Sequence, residues 1–94
     1  MKHYFVVSLF LNGLLGGGIT ADDQAITYHT GKLTVSPAYR HLEMRYEDIS
    51  CLVSGTFLFL PTVTVVMTSG KEYRFLVFTR KKFLKVLAEH GVMA

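Results

Sequence analysis

Apolar and polar positions alternate in pairs over most of this chain and change period near its end. Lys2–Leu11 is rich in Phe, Val, Tyr and Leu and reads as a strand. Asn12-Gly13 follows, and both residues tolerate the positive φ of a tight hairpin. Leu14–Thr20 is the expected return strand. Gly16-Gly17-Gly18 inside it predicts a bulge or a close backbone approach. Asp22-Asp23 marks the next turn. Gln24–Thr30 then places Ile26 and Tyr28 on one face and Thr27 and His29 on the other. Gly31–Arg40, carrying Gly31, Ser36 and Pro37, reads as the longest loop, extended through Lys32–Val35.

Leu42–Glu47 is the cleanest strand pattern, with Leu42, Met44 and Tyr46 alternating against Glu43, Arg45 and Glu47. Glu47-Asp48 makes a corner. Ile49, Cys51 and Val53 then alternate with Ser50 and Ser54, and Gly55 is expected to end that strand. Thr62–Thr68 is β-branched, Ser69-Gly70 is a second two-residue hairpin signal, and Lys71–Phe78 returns with Tyr73, Phe75 and Val77 on one face. Beyond Thr79, a natural N-cap, the spacing turns helical. Phe83, Leu84, Val86, Leu87 and Ala88 form an apolar stripe opposite Lys81, Lys82, Lys85 and Glu89, and Gly91 is a C-terminal stop. The expectation is a mainly β domain over residues 1–94, a barrel of about seven antiparallel strands closed by one C-terminal α-helix.

Composition narrows the class. The chain has 94 residues, 50% hydrophobic and 18% charged, which suits one globular domain with a core of its own. The single Cys51 excludes an internal disulfide framework. A formal charge of +3 without a dense basic stripe speaks for solubility, and no nucleic acid is expected as partner. Met1-Lys2-His3 before Tyr4–Leu11 has the outline of a short signal peptide with Ala21 as its cleavage residue. Asn12-Gly13 and the glycine triplet interrupt that run. The apolar run also falls short of the roughly 20 residues of a transmembrane span. A cytoplasmic location is expected, at most peripheral to membranes.

Three stretches resemble the pleckstrin-homology-like superfold, in particular small bacterial PH-like and GRAM-like domains. Gly18–Tyr28, with Asp22-Asp23 at its turn, is similar to the early GRAM hairpin. Leu42–Ile49 is similar to the family's step from apolar strand to acidic corner. Gly70–Phe75, continuing into Arg80–Leu84, looks like its last strand and helix entry. The resemblance implies a PH-like barrel and a binding rather than catalytic role. Asn12-Gly13 stands where phosphoinositide-binding members carry a long basic loop, and the chain has no Trp for the closing helix.

No catalytic, cofactor or metal site is expected. Gly16-Gly17-Gly18 lacks the Gly-Lys-Ser/Thr of a phosphate loop, and a strand bulge is the preferred reading. His3, His29, His41 and His90 show no ligand spacing, and Cys51, expected to be buried, has no Cys partner. Asp22-Asp23 and Glu47-Asp48 are turn formers rather than acid–base pairs.

Two surfaces stand out. Arg74, Arg80, Lys81, Lys82 and Lys85 gather around the helix start, where cations oppose the macrodipole but can meet an anion. Phe57, Leu58, Phe59, Leu60 and Pro61 put four large apolar residues in succession. They mark either an exposed edge or tip that serves as an interface, or a strand buried on both faces; Pro61 suits an edge strand. The leading expectation is a non-catalytic PH-like module acting through protein contacts, with self-association into a homo-oligomer through Phe57–Pro61. The alternative is a peripheral membrane module binding anionic lipid through the basic cluster. A small-ligand or enzymatic barrel ranks third.

Overall fold

The computed structural model describes residues 2–11, 13–31 and 37–92. In chain order the elements are β1 (His3–Phe10), β2 (Leu14–Ala21), β3 (Ala25–His29), α1 (Pro37–Arg40), β4 (His41–Arg45), β5 (Ile49–Phe57), β6 (Leu60–Met67), β7 (Glu72–Val77) and α2 (Arg80–Glu89). The strands form one antiparallel sheet in the order β4-β3-β2-β1-β7-β6-β5. β4 and β5 lie at opposite edges, yet only the 3-10 turn Tyr46–Asp48 joins them. Three residues reach about 10 Å at most. The two edges must therefore approach at that corner, and the twisted sheet coils into half a barrel.

Inward positions fill the coil. Phe5, Val7 and Leu9 of β1 face Ile19 of β2, Tyr28 of β3, Met44 of β4, Val63 and Val65 of β6, and Phe75 and Val77 of β7. Helix α2 lays Phe83, Val86 and Leu87 onto this core, and the Phe83 ring meets Phe5 edge to face at 5.1 Å. Gly91, at φ 83°, ends the helix. Its N–H donates to the Ala88 carbonyl while the Val92 N–H reaches Leu87, the paired bonds of a Schellman stop. Among the described residues no helix is long and apolar enough to cross a membrane.

The period-2 strands and the period-3.6 helix stand where the pattern puts them, and the differences have local causes. Pro37–Arg40 forms a single helical turn inside the expected loop, opened by a proline that suits a first helical position. The extended reading of Lys32–Val35 lies outside the described residues. The strand expected to end at Gly55 runs on to Phe57. A register shift between Ile49 and Cys51 moves the faces of β5, so that Leu52 is buried and Val53 exposed; one extra residue swaps the sides of everything after it. Cys51 is consequently half-buried. Thr79 holds the N-cap position, but its side chain makes no capping bond.

The glycine triplet contains no bulge. Ser8, Val7 and Val6 pair with Gly16, Gly17 and Gly18 in unbroken register. Close approach explains two of the three. A Cβ on Gly17 would lie 3.0 Å from the Tyr28 ring and closer still to the His29 carbonyl, and one on Gly18 would meet the ring of Tyr4. Tyr28 uses that proximity to donate its hydroxyl to the Leu15 carbonyl at 2.7 Å.

Candidate functional site

The β5–β6 hairpin turns through Leu58 and Phe59, with φ of 48° and 70°. Two consecutive positive values define the I′ geometry that matches strand twist in a two-residue loop. Asn and Gly adopt it readily; Leu and Phe do so at a cost of about 1–2 kcal/mol each. The register leaves no other choice, because Phe57 pairs with Leu60 and the ladder continues unbroken to Cys51 opposite Val66. Both apex side chains face solvent, Leu58 at 75% and Phe59 at 99% exposure.

The remainder of the Phe57–Pro61 run does different work. Phe57, Leu60 and Pro61 are half-buried. The Phe57 ring packs edge to face on Phe10 at 5.1 Å, although β7 and β6 separate their strands in the sheet. Pro61 sits in β6, an interior strand and not an edge. It is tolerated because a two-residue loop makes Phe57/Leu60 the hydrogen-bonded pair and leaves Thr56/Pro61 as the non-bonded one. Pairing with β7 begins only at Thr62, so no ladder donor is lost.

The basic residues divide in the same way. Arg74 lies with its guanidinium carbon 4.6 Å from the centre of the Phe10 ring and 5.9 Å from that of Phe57, and Nη2 donates to the Thr56 carbonyl at 3.4 Å. Arg80 donates Nη1 to the Gly55 carbonyl at 2.7 Å and approaches Thr62 O at 3.5 Å. These two cations fasten the hairpin to β7 and to the start of α2. Lys81, Lys82 and Lys85 stay exposed on the helix. A hollow of about 310 Å³ beside the hairpin is lined by Pro61, Phe78, Thr79, Arg80 and Lys81, with two cations and no carboxylate among these residues. The apolar run and the basic cluster, separate in sequence, thus meet at one pole.

Carboxylates collect at the far end of α2. A groove of about 500 Å³ there is lined by Asp23, Gln24, Arg45, Tyr46, Glu47, His90 and Gly91. The His90 ring stacks on Tyr46 at 4.5 Å. Burial, with the charges of Asp22 and Asp23 behind it, pushes the Tyr46 hydroxyl from 10.0 to about 12. Sequence reasoning missed this groove because its walls come from three separate segments with no shared motif. α2 therefore carries cations at its first turn and acids around its last, against its macrodipole at both ends.

No family model and no curated protein matches the chain. Among solved structures, it is similar to the crystal structure of the C-terminal domain of an unknown protein from Leishmania infantum. The two are 10% identical with a TM-score of 0.76, over 94% of this chain and 80% of that one. At that identity the likeness bears on fold alone.

Proposed function

We propose that this chain is a non-catalytic, PH-like interaction module whose hairpin pole docks on an anionic lipid surface. The observation that carries this reading is the exposed Leu58–Phe59 apex beside the carboxylate-free hollow of Arg80 and Lys81. An apolar tip with cations at the base of its hairpin suits a bilayer interface. The side chains enter the acyl boundary, worth about 1.5–3 kcal/mol each when buried, and each nearby lysine adds about 1 kcal/mol against anionic headgroups. The strain at Leu58 and Phe59 supports it, since Asn-Gly would turn the chain more cheaply. The filled interior, with Tyr28, Phe75 and Phe83 fully buried, speaks against a ligand-holding barrel.

Co-sedimentation with phosphatidylcholine vesicles, with and without phosphatidylserine, tests this. Wild type should pellet only with the anionic vesicles and be released by salt. Leu58→Ser with Phe59→Ser, and separately Lys81→Glu with Lys82→Glu, should each abolish pelleting without altering the circular dichroism spectrum. Unchanged binding in either pair removes the proposal.

A further inference from the structure

The seven phenylalanines of the chain fall into two groups. Phe5 packs on Phe83, Phe10 on Phe57, and Phe75 on Tyr28. Phe59 and Phe78 make none of these ring contacts, and they are the two that face water, at 99% and 59% exposure. Phe78 follows the last residue of β7. Val77 before it and Phe83 in α2 are fully buried and close the core on either side. Alternation turns the side chain after Val77 outward, where a polar residue would serve the fold as well.

The two unpartnered rings share one pole. Phe78 and Pro61 line the same hollow, and Pro61 stands two residues beyond Phe59. Arg80 and Lys81 complete its wall. The carboxylates gather instead around the last turn of α2, about 15 Å along the helix from its first residue.

We infer that Phe78 is a second membrane anchor, which enters the acyl boundary together with the Leu58–Phe59 apex and sets the chain with its acidic groove turned away from the bilayer. This rests on the lipid reading above and adds to it an anchoring residue and an orientation. The apex alone is one point of contact, about which the molecule would tilt. A ring on the wall of the hollow adds a second point, and Arg80 and Lys81 beside it meet the headgroups. Charge selects this occupant. A second copy packed pole to pole would bring its own Arg80 and Lys81 against the first pair, whereas an anionic surface neutralises them. The same charges hold the groove of Asp23 and Glu47 away from that surface.

The chain contains no tryptophan, so a single reporter can be placed by substitution. Phe59→Trp, Phe78→Trp and Gln24→Trp, the last in the acidic groove, are each mixed with phosphatidylserine–phosphatidylcholine vesicles whose acyl chains are brominated. Phe59→Trp and Phe78→Trp fluorescence should be quenched, and Gln24→Trp fluorescence should not. Phe78→Ser should keep the wild-type circular dichroism spectrum and bind the vesicles about ten-fold more weakly, the scale of one partly exposed phenylalanine leaving water. Quenching of Phe59→Trp without quenching of Phe78→Trp overturns the inference and leaves the lipid reading standing. Quenching of neither removes both. Gln24→Trp quenched as strongly as Phe78→Trp overturns the orientation, and undiminished binding by Phe78→Ser overturns the anchor. A wild type that sediments as a dimer, which Phe78→Ser dissolves, assigns the ring to a second copy and overturns the inference as well.

Discussion

Two turns in this sheet solve the same geometric problem in opposite ways. Between β2 and β3, Asp22 Oδ1 accepts the backbone N–H groups of Gln24 at 2.8 Å and Ala25 at 2.9 Å. The Asp22 carbonyl accepts the Tyr46 hydroxyl at 2.7 Å. Both the carboxylate and the carbonyl of Asp22 thus serve stability. Between β5 and β6, Leu58 and Phe59 sit in a backbone conformation that disfavours them and expose their side chains to water. The first turn is chosen for the fold. The second carries a cost the fold does not need, and such sites are where surface function is sought.

Exchanging the chemistry of the two turns gives the largest effect. Leu58→Asn with Phe59→Gly should raise unfolding free energy by about 2 kcal/mol, from relief of two positive-φ side chains, and should abolish vesicle pelleting. Greater stability with undiminished pelleting would break the comparison. Asp22→Ala should cost about 1.5 kcal/mol at neutral pH in denaturant titration. The hydrogen bonds from Gln24 and then Ala25 hold this carboxyl below 3.8. A depressed folded pKa contributes stability above 3.8 that is lost as pH falls below it, so variant and wild type should converge in acid. Tyr46→Phe should cost about 1 kcal/mol at neutral pH. The raised hydroxyl pKa, from 10.0 to about 12, contributes stability that is full below 10.0 and lost as pH rises through that window. The melting temperature should therefore fall less between pH 9 and 12 for the Phe variant than for wild type.

Much of the fold was legible along the chain. Gly13, Asp22-Asp23 and Ser69-Gly70 stand at turns, Met44 and Tyr46 are buried as their alternation implies, and Gly91 stops the helix. The misreadings share one cause, which is that pairing partners decide what a local pattern leaves open. Ser50 looks like an ordinary alternating residue until the register with Met67 and Val66 makes it the extra residue of a bulge. Gly16, Gly17 and Gly18 look alike, but only two of them have tyrosine rings laid across them. Phe57–Pro61 could be read as an interface or as a buried strand. The ladder divides it into a solvent-facing apex and half-buried flanks.

Periodicity and turn chemistry act between neighbours, so the amino-acid order by itself determined seven strands, their hairpins and an amphipathic C-terminal helix. It also placed the basic residues and the apolar run on the chain. Only the coiled sheet decided that they meet, because Arg74 and Arg80 reach hairpin carbonyls 18 and 25 residues away through contacts that exist once β5, β6, β7 and α2 are assembled. The same holds for the opposed charges at the two ends of α2. Such juxtapositions depend on distances in space, and spacing along a chain does not encode them until the core has fixed the curl.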